Sequence, residues 1–125
     1  MSYTINPKER HAKASAENLR VSTKDSIVLS RAIRGKKLTT AKRLLNDLSE
    51  KKRDLDGKYH SKAVGEFIEL LNSCEKNADN TGLERSRLFL HCSATHGSKS
   101  RRRRRKSKFG SQMKTTNLEM ILIER

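Results

Sequence analysis

The sequence predicts an α+β fold in which three helices pack on a small antiparallel sheet, with a long protruding β-hairpin at about residues 85–124 that carries a basic tip. Three observations support this prediction. Apolar residues recur with the 3.6-residue period of helices between Ser22 and Asp79, and after Leu83 they alternate with the two-residue period of strands. A basic run separates the two alternating segments, where the turn of a hairpin is expected. The 125 residues suffice for one domain.

Each predicted helix has its own start and stop signals. The first is predicted from Ser22 to the residue before Gly35, because Ser22 and Asp25 match a capping box and glycine favours the left-handed C-cap. The second is predicted over residues 39–52 and the third over residues 62–79. The apolar faces at helical spacing are Val28, Leu29, Ala32 and Ile33; Ala41, Leu44, Leu45 and Leu48; and Val64, Phe67, Ile68, Leu71, Cys74 and Ala78.

The strands are predicted from alternating hydrophobicity. One strand is expected around residues 88–94 and a second over 118–123, and both become polar toward the basic run. Residues 11–21 are ambiguous and are compatible with a short strand. Residues 1–10 show no period, so we expect an irregular tail that orders only on a partner. The single domain is then expected to cover residues 11–125.

The charge of the chain is high and unevenly distributed. With 29 basic and 14 acidic residues, the net charge is +15 and the isoelectric point is about 10.4. Residues 85–118 contain 11 Lys and Arg residues and no Asp or Glu. Such a concentration of like charge repels itself without counterions, so a polyanion is the expected partner.

The basic run is the strongest candidate site, because each guanidinium presents a planar fork that holds phosphate bidentately. Two interpretations remain open: an RNA-binding structural protein, and a chromatin or other nucleic-acid-binding protein that uses the run for DNA contact and nuclear import. The hairpin context favours the first, since none of the predicted helices shows a concentrated basic recognition face. The candidate residues are Lys99, Arg101, Arg102, Arg103, Arg104, Arg105, Lys106 and Lys108.

The residues that bear other chemistry do not form a recognisable site. Cys74, His91, Cys92 and His96 lack zinc-ligand spacing, because adjacent residues of a strand point to opposite faces. We expect both thiols in the core of a protein from a reducing compartment, with no metal, no cofactor and no catalytic site. No membrane segment or secretory signal is recognised. The acidic residues expected on the solvated side of the third helix are Glu66, Glu69 and Glu75.

The order of several local motifs resembles the universal large-subunit ribosomal protein L-twenty-two family, called L-seventeen in eukaryotic nomenclature. The resemblance covers about residues 11–125, and the order and spacing of the motifs make it specific. The matching segments are Asn18–Ser22 with Lys24, Ala32–Lys37, Asn77–Ala78 with Asn80, Gly82 and Leu83, the strand Leu88–Ala94, the basic tip ending at Phe109–Gly110, and Leu118–Leu122.

The resemblance implies a structural constituent of the large subunit that binds ribosomal RNA, supports assembly and translation, and extends its hairpin toward the peptide exit tunnel. The implied partners are large-subunit RNA, neighbouring ribosomal proteins and the nascent polypeptide, without homo-oligomerisation. The detailed form of Asn18–Ser22 and Glu119–Leu122 resembles the archaeal and eukaryotic members of the family and not the bacterial ones. The implied location is the large subunit of a cytosolic, eukaryotic ribosome, with nuclear or nucleolar transit during assembly. The resemblance also carries RNA binding to Arg20, Lys24, Arg34, Lys36 and Lys37, and makes Ser100, Arg103, Arg104 and Ser107 candidates for a tunnel-facing tip.

The chain departs from the family pattern in three places. The loop over residues 53–61 is shorter than the basic insertion usual between the second and third helices. The return arm of the hairpin is a few residues short, and the frequent proline near the tip is missing. We therefore expect a shortened form of the family fold.

Overall fold

A computed structural model of the protein describes residues 3–101 and 111–125. A short 3-10 helix over Arg85–Arg87 leads from the helical part of the chain into the sheet. The remaining elements are β1 (His11–Leu19), α1 (Thr23–Ile33), α2 (Leu38–Ser49), α3 (Ser61–Thr81), β2 (Leu88–His96), β3 (Ser100–Arg101), β4 (Gln112–Met113) and β5 (Thr116–Glu124).

The main sheet has three antiparallel strands in the order β1-β5-β2, so β5 is central. The α+β class, with three helices on a small antiparallel sheet, is confirmed, and the ambiguous segment before α1 is a strand. β2 and β5 pair from Leu88 opposite Glu124 to His96 opposite Thr116. Beyond them, β3 pairs with β4. The protruding hairpin stays a prediction, because its tip falls within residues 102–110, outside the part of the chain that the structure describes.

The Ser22 half of the predicted capping box of α1 is confirmed, whereas the Asp25 carboxylate lies beside the His60 ring. The Asp25 N–H donates to Ser22 Oγ at 3.3 Å, which satisfies one of the free amide donors at the helix start. At the other end Gly35 adopts φ +78°, and its N–H donates to the carbonyl oxygen of Leu90 at 2.7 Å. The turn that ends α1 therefore ties the helix to the outer edge of β2.

The second and third helices also form where predicted, with shifted ends. α2 stops at Ser49 and not near residue 52, because Lys51 takes a left-handed conformation and the Lys52 N–H returns to the carbonyl oxygen of Asp47. α3 continues to Thr81 and ends at Gly82, whose φ of +81° allows the Leu83 N–H to bond back to the Ala78 carbonyl oxygen.

The His60 side chain lies where the short loop between α2 and α3 meets the start of α1. The buried His60 ring lies between the Leu55 carbonyl oxygen, 2.9 Å from Nε2, and the Asp25 carboxylate, 3.3 Å from Nδ1. Since Asp25 belongs to the cap of α1, one side chain joins the loop, the third helix and the first helix.

The hydrophobic core lies between the helices and one face of the sheet. The predicted helix faces supply most of it, whereas Val28, Ala32 and Ile68 are only partly buried. Burying a large aliphatic or aromatic side chain stabilises the fold by about 1.5–3 kcal/mol. The fully buried large side chains of this core are Leu29, Ile33, Leu45, Leu48, Phe67, Leu71, Leu88, Leu90, Leu118, Met120 and Leu122.

The opposite face of the sheet is covered by the start of the chain. Residues 3–10 form neither helix nor strand, but they lie against β5, where the Thr4 N–H donates to Glu119 at 2.9 Å. This differs from the expectation of a tail that orders only on a partner. The reason is that β5 also points Ile121 and Ile123 to this face, and both are buried.

Candidate nucleic-acid interface

We call the two segments that lead to the basic run, residues 97–101 and 111–115, the basic arms. A cationic groove lies where the start of α1 meets the base of these arms. It is a concavity of about 460 Å³ lined in part by Arg20, Lys24 and Lys114. All three side chains are exposed. Gln112 of β4 also lines it, and Arg101 pairs with Gln112 in the β3–β4 ladder. We call the three cations Arg20, Lys24 and Lys114 the groove triad; the basic run therefore begins directly beside them.

Threonines hold the two walls of this groove together. The fully buried Thr116, first residue of β5, donates its hydroxyl to the Val21 carbonyl oxygen at 2.9 Å. Its oxygen also lies 2.7 Å from the hydroxyl of Thr23. These bonds fix the turn between β1 and α1 against the return arm, so Arg20 and Lys24 project from a rigid base.

Lys114 was absent from the sequence-based candidates. It lies outside the continuous basic run and outside the motifs that carry the family resemblance. The signal that points to it is its position within the acid-free segment, two residues before β5. Lys114 and Arg20 are far apart in sequence, and the packing of β5 against the β1–α1 turn brings them together.

Of the predicted run, the structure describes Lys99, Ser100 and Arg101, and all three are exposed in or beside β3. Ser100 pairs with Met113. The other candidates lie outside the described residues: Arg102, Arg103, Arg104, Arg105, Lys106, Ser107 and Lys108.

A second set of candidates lies apart from the groove. Arg34, Lys36 and Lys37 are exposed at the C-terminal end of α1, about 15 Å along the helix axis from Lys24. Arg34 Nε donates to the Cys92 carbonyl oxygen at 3.0 Å, and the Lys36 carbonyl oxygen accepts from the Leu90 N–H. The structure therefore places these cations along the outer edge of β2 and does not bring them together with the groove triad.

On the side of the domain formed by α2, α3 and the loop between them, some cations have acidic partners. Lys42 of α2 pairs with Glu75 of α3, and Arg53 lies 3.3 Å from Asp47. The expectation that Glu75 is solvated is wrong, because its residue is only 7% exposed. The packing of α2 on α3 buries the carboxylate, and Lys42 supplies the compensating charge. Glu69 is exposed as expected, and Glu66 is partly buried.

The cysteines belong to the core, as predicted. Both are free thiols, and burial raises the pKa of Cys74 to about 12 and that of Cys92 to about 11. Burial, with the nearby Arg34, also lowers the pKa of His91. Within residues 3–101 and 111–125, no group of three or more His, Cys, Asp or Glu side chains is arranged to hold a metal ion. None of the helices in these ranges combines the length and hydrophobicity needed to cross a bilayer.

The small α+β fold and its concentrated positive charge are typical of the class of small basic proteins that associate with nucleic acid. Comparison with known families is more specific. Residues 14–122 match the family model described as ribosomal protein L22p/L17e. The chain belongs to this ribosomal protein family.

Curated relatives carry the name large ribosomal subunit protein uL22. The protein of Thermoplasma volcanium is 32% identical, with 98% of this chain and 96% of the relative covered. The relative from Staphylothermus marinus is 30% identical, covering 98% and 95%. The first alignment spans 142 positions, more than the 125 residues of this chain, which agrees with a shortened form. Both relatives are archaeal, which agrees with the archaeal–eukaryotic type of the resemblance but does not support the expected eukaryotic source.

Proposed function

We propose that this protein is a structural constituent of the large ribosomal subunit that binds ribosomal RNA and supports subunit assembly and translation. The observation that carries the proposal is the groove, where the fold brings Arg20 and Lys24 next to Lys114. Lys114 lies within residues 85–118, which contain no Asp or Glu. Family membership supports the same role. The proposal includes neither a catalytic activity nor a homo-oligomer.

The groove triad and the basic run act on the phosphate backbone. Each cation that approaches a phosphate releases condensed counterions, which favours binding and makes it dependent on salt. Arginine adds a bidentate hydrogen-bonding fork, so Arg20 and Arg101 also orient the RNA. The cations beside β2, Arg34, Lys36 and Lys37, are assigned to a second RNA segment because they lie at the far end of α1.

A matched pair of triple variants tests this assignment. Replacing the groove triad by Gln should lower the salt dependence of rRNA binding by up to about one unit of slope for each phosphate that is no longer neutralised. The control replaces three exposed cations of α2 and α3 by Gln: Arg43, Lys62 and Lys76. Both variants remove three positive charges, so an equal change in the two slopes would refute the assignment. Replacing Arg101 through Arg105 by Gln should lower the slope further.

Location in the cell tests the ribosomal role itself. In a sucrose gradient, nearly all of the protein should sediment with large subunits and polysomes, and nuclease should release it. Recovery mainly on chromatin would favour the DNA-binding alternative and contradict the proposal. Nuclear or nucleolar transit follows only where the source cell has a nucleus.

The hairpin is proposed to extend toward the peptide exit tunnel. Because Leu88–His96 pairs with β5 inside the main sheet, only residues from Gly97 onward leave the domain on this side, and Arg101 lies about 13 Å beyond Gly97 if the chain is extended. A photo-crosslinker at the exposed Ser100 provides the test. Crosslinks to a stalled nascent chain support a tunnel-facing tip, and crosslinks to RNA alone contradict it without affecting the RNA-binding proposal.

A further inference from the structure

A cluster of polar groups lies where the main sheet ends and the basic arms begin. Asn18, near the end of β1, has φ +56° and donates its N–H to Asn117 Oδ1 at 2.9 Å. Its own side-chain oxygen accepts from the Ser98 N–H at 3.0 Å and lies 3.3 Å from the Thr115 hydroxyl. One side chain of β1 therefore contacts both arms between the two ladders.

Gly97 occupies the centre of this cluster. Its N–H donates to the Thr115 carbonyl oxygen at 2.9 Å. A Cβ at this position would collide with Thr115 Oγ1 and would lie 2.9 Å from the side-chain oxygens of both Asn18 and Asn117. Its φ lies outside the left-handed region, so the position requires glycine for space and not for conformation.

Thr115 closes the cluster from the return arm. Its residue is 9% exposed, and its hydroxyl lies 2.5 Å from the Ser98 carbonyl oxygen. Ser98 is thus bonded through its N–H to Asn18 and through its carbonyl to Thr115, although it belongs to neither sheet. The cluster replaces the regular ladder over the interval between β2–β5 and β3–β4.

We propose that Asn18, Gly97 and Thr115 form a joint that fixes the direction in which the basic arms leave the domain, and so positions their cations for RNA. Arg101 is four residues from Gly97, or about 13 Å at the strand rise. A change of about 20° at the joint would move it by roughly 4 Å, more than a phosphate hydrogen bond tolerates. The positioning role rests on the proposed rRNA binding, whereas the joint itself does not.

The joint is tested by distance measurement in the free protein. Spin labels are placed at Asn72→Cys on α3 and Ser100→Cys on the arm, both at exposed positions. The buried native thiols, with their raised pKa values, do not compete for the label. A narrow distance distribution is expected for the otherwise wild-type chain.

Four variants separate the joint from a general effect on folding. Gly97→Ala and Asn18→Gly should broaden or shift the distribution; the second keeps the left-handed backbone accessible and removes only the side-chain acceptor. Asn18→Asp keeps a side-chain acceptor oxygen at this position and should therefore keep the narrow distance distribution. Gly65→Ala is the matched control, because a Cβ there meets nothing within 4 Å. Urea unfolding identifies any variant that fails to fold.

Binding of full-length large-subunit rRNA transcript is then measured for the same proteins. Gly97→Ala and Asn18→Gly should bind about tenfold more weakly for each charge-assisted hydrogen bond to phosphate that the displaced arms no longer make, while Gly65→Ala binds normally. Unchanged distances in folded Asn18→Gly would overturn the joint, as would Asn18→Asp behaving like Asn18→Gly. Altered distances with unchanged affinity would overturn the positioning role. If the wild-type chain does not bind rRNA, the proposed function fails while the distance result stands.

Discussion

Glu119 is the position where one substitution most directly tests how the start of the chain is held. It lies on the face of β5 opposite the helices and is 4% exposed. Its carboxylate accepts from the Thr4 N–H at 2.9 Å, from the Ser93 hydroxyl at 2.7 Å and from the Thr4 hydroxyl. We therefore expect Glu119→Gln to weaken the attachment of residues 3–10 without altering the core.

The magnitude follows from those three bonds. A hydrogen bond to a charged group contributes about 1.5–3 kcal/mol and one between neutral groups about 0.5–1.5 kcal/mol. Glutamine keeps a carbonyl acceptor but loses the charge, so each bond weakens by about 1 kcal/mol. Because Thr4 is exposed, part of this is screened by solvent. The expected loss of unfolding free energy is about 1–2 kcal/mol at neutral pH.

The pH dependence has a defined sign. Burial raises the pKa of Glu119, but the hydrogen bonds from Thr4 and Ser93, with the nearby His91, outweigh it and hold the pKa below its ordinary value. A lowered pKa in the folded state means that the carboxylate contributes full stability at neutral pH. This contribution disappears as the pH falls below about 4.3, the ordinary glutamate value.

Urea unfolding at several pH values measures the effect. Wild type and Glu119→Gln should differ most at pH 7 and converge on acidification, whereas the exposed Glu69→Gln should show no such convergence. Thr4→Val, combined with Glu119→Gln in a double-mutant cycle, should show a coupling energy. If Glu119→Gln keeps wild-type stability at pH 7, or if Thr4 shows no coupling, the carboxylate does not hold the start of the chain.

Three further predictions concern the domain itself. Leu45→Ala should lower the unfolding free energy by about 2–5 kcal/mol in urea titrations, because the side chain is fully buried. Cys74 and Cys92 should resist alkylation in native buffer at pH 8 and react in denaturant, as followed by mass spectrometry; rapid native reaction would contradict their burial. Lys42→Ala should destabilise by about 1–3 kcal/mol, and added Glu75→Gln should recover part of the loss, because the first change leaves a buried carboxylate without its cation.

The elements of the fold were predictable because their signals are local. The capping box at Ser22, the glycines that end α1 and α3, and the change of hydrophobic period after Leu83 each depend on a few neighbouring residues. The end of α2 was less predictable. Its last turn depends on the left-handed conformation of Lys51, for which lysine has no intrinsic preference.

Features that depend on contacts across the chain were missed. Glu75 has the spacing of a surface residue, yet α2 covers it and Lys42 compensates its charge. Lys114 joins the groove only because Thr116 ties β5 to the β1–α1 turn. The identity of the basic run as the richest source of positive charge was evident from sequence, but its neighbours in space were not.

The five residues Asn18 to Ser22 show why a short motif can identify this fold. Asn18 bonds to both arms of the basic segment, and the carbonyl oxygen of the buried Val21 accepts from Thr116. Ser22 caps α1. These three residues are engaged in structure, whereas Arg20 between them remains exposed in the groove. The motif therefore fixes the backbone of residues 18–22, and this places the Arg20 side chain beside the basic arms. Because the Val21 side chain is buried, Val21→Ala should loosen this path and weaken RNA binding through Arg20, although valine carries no charge.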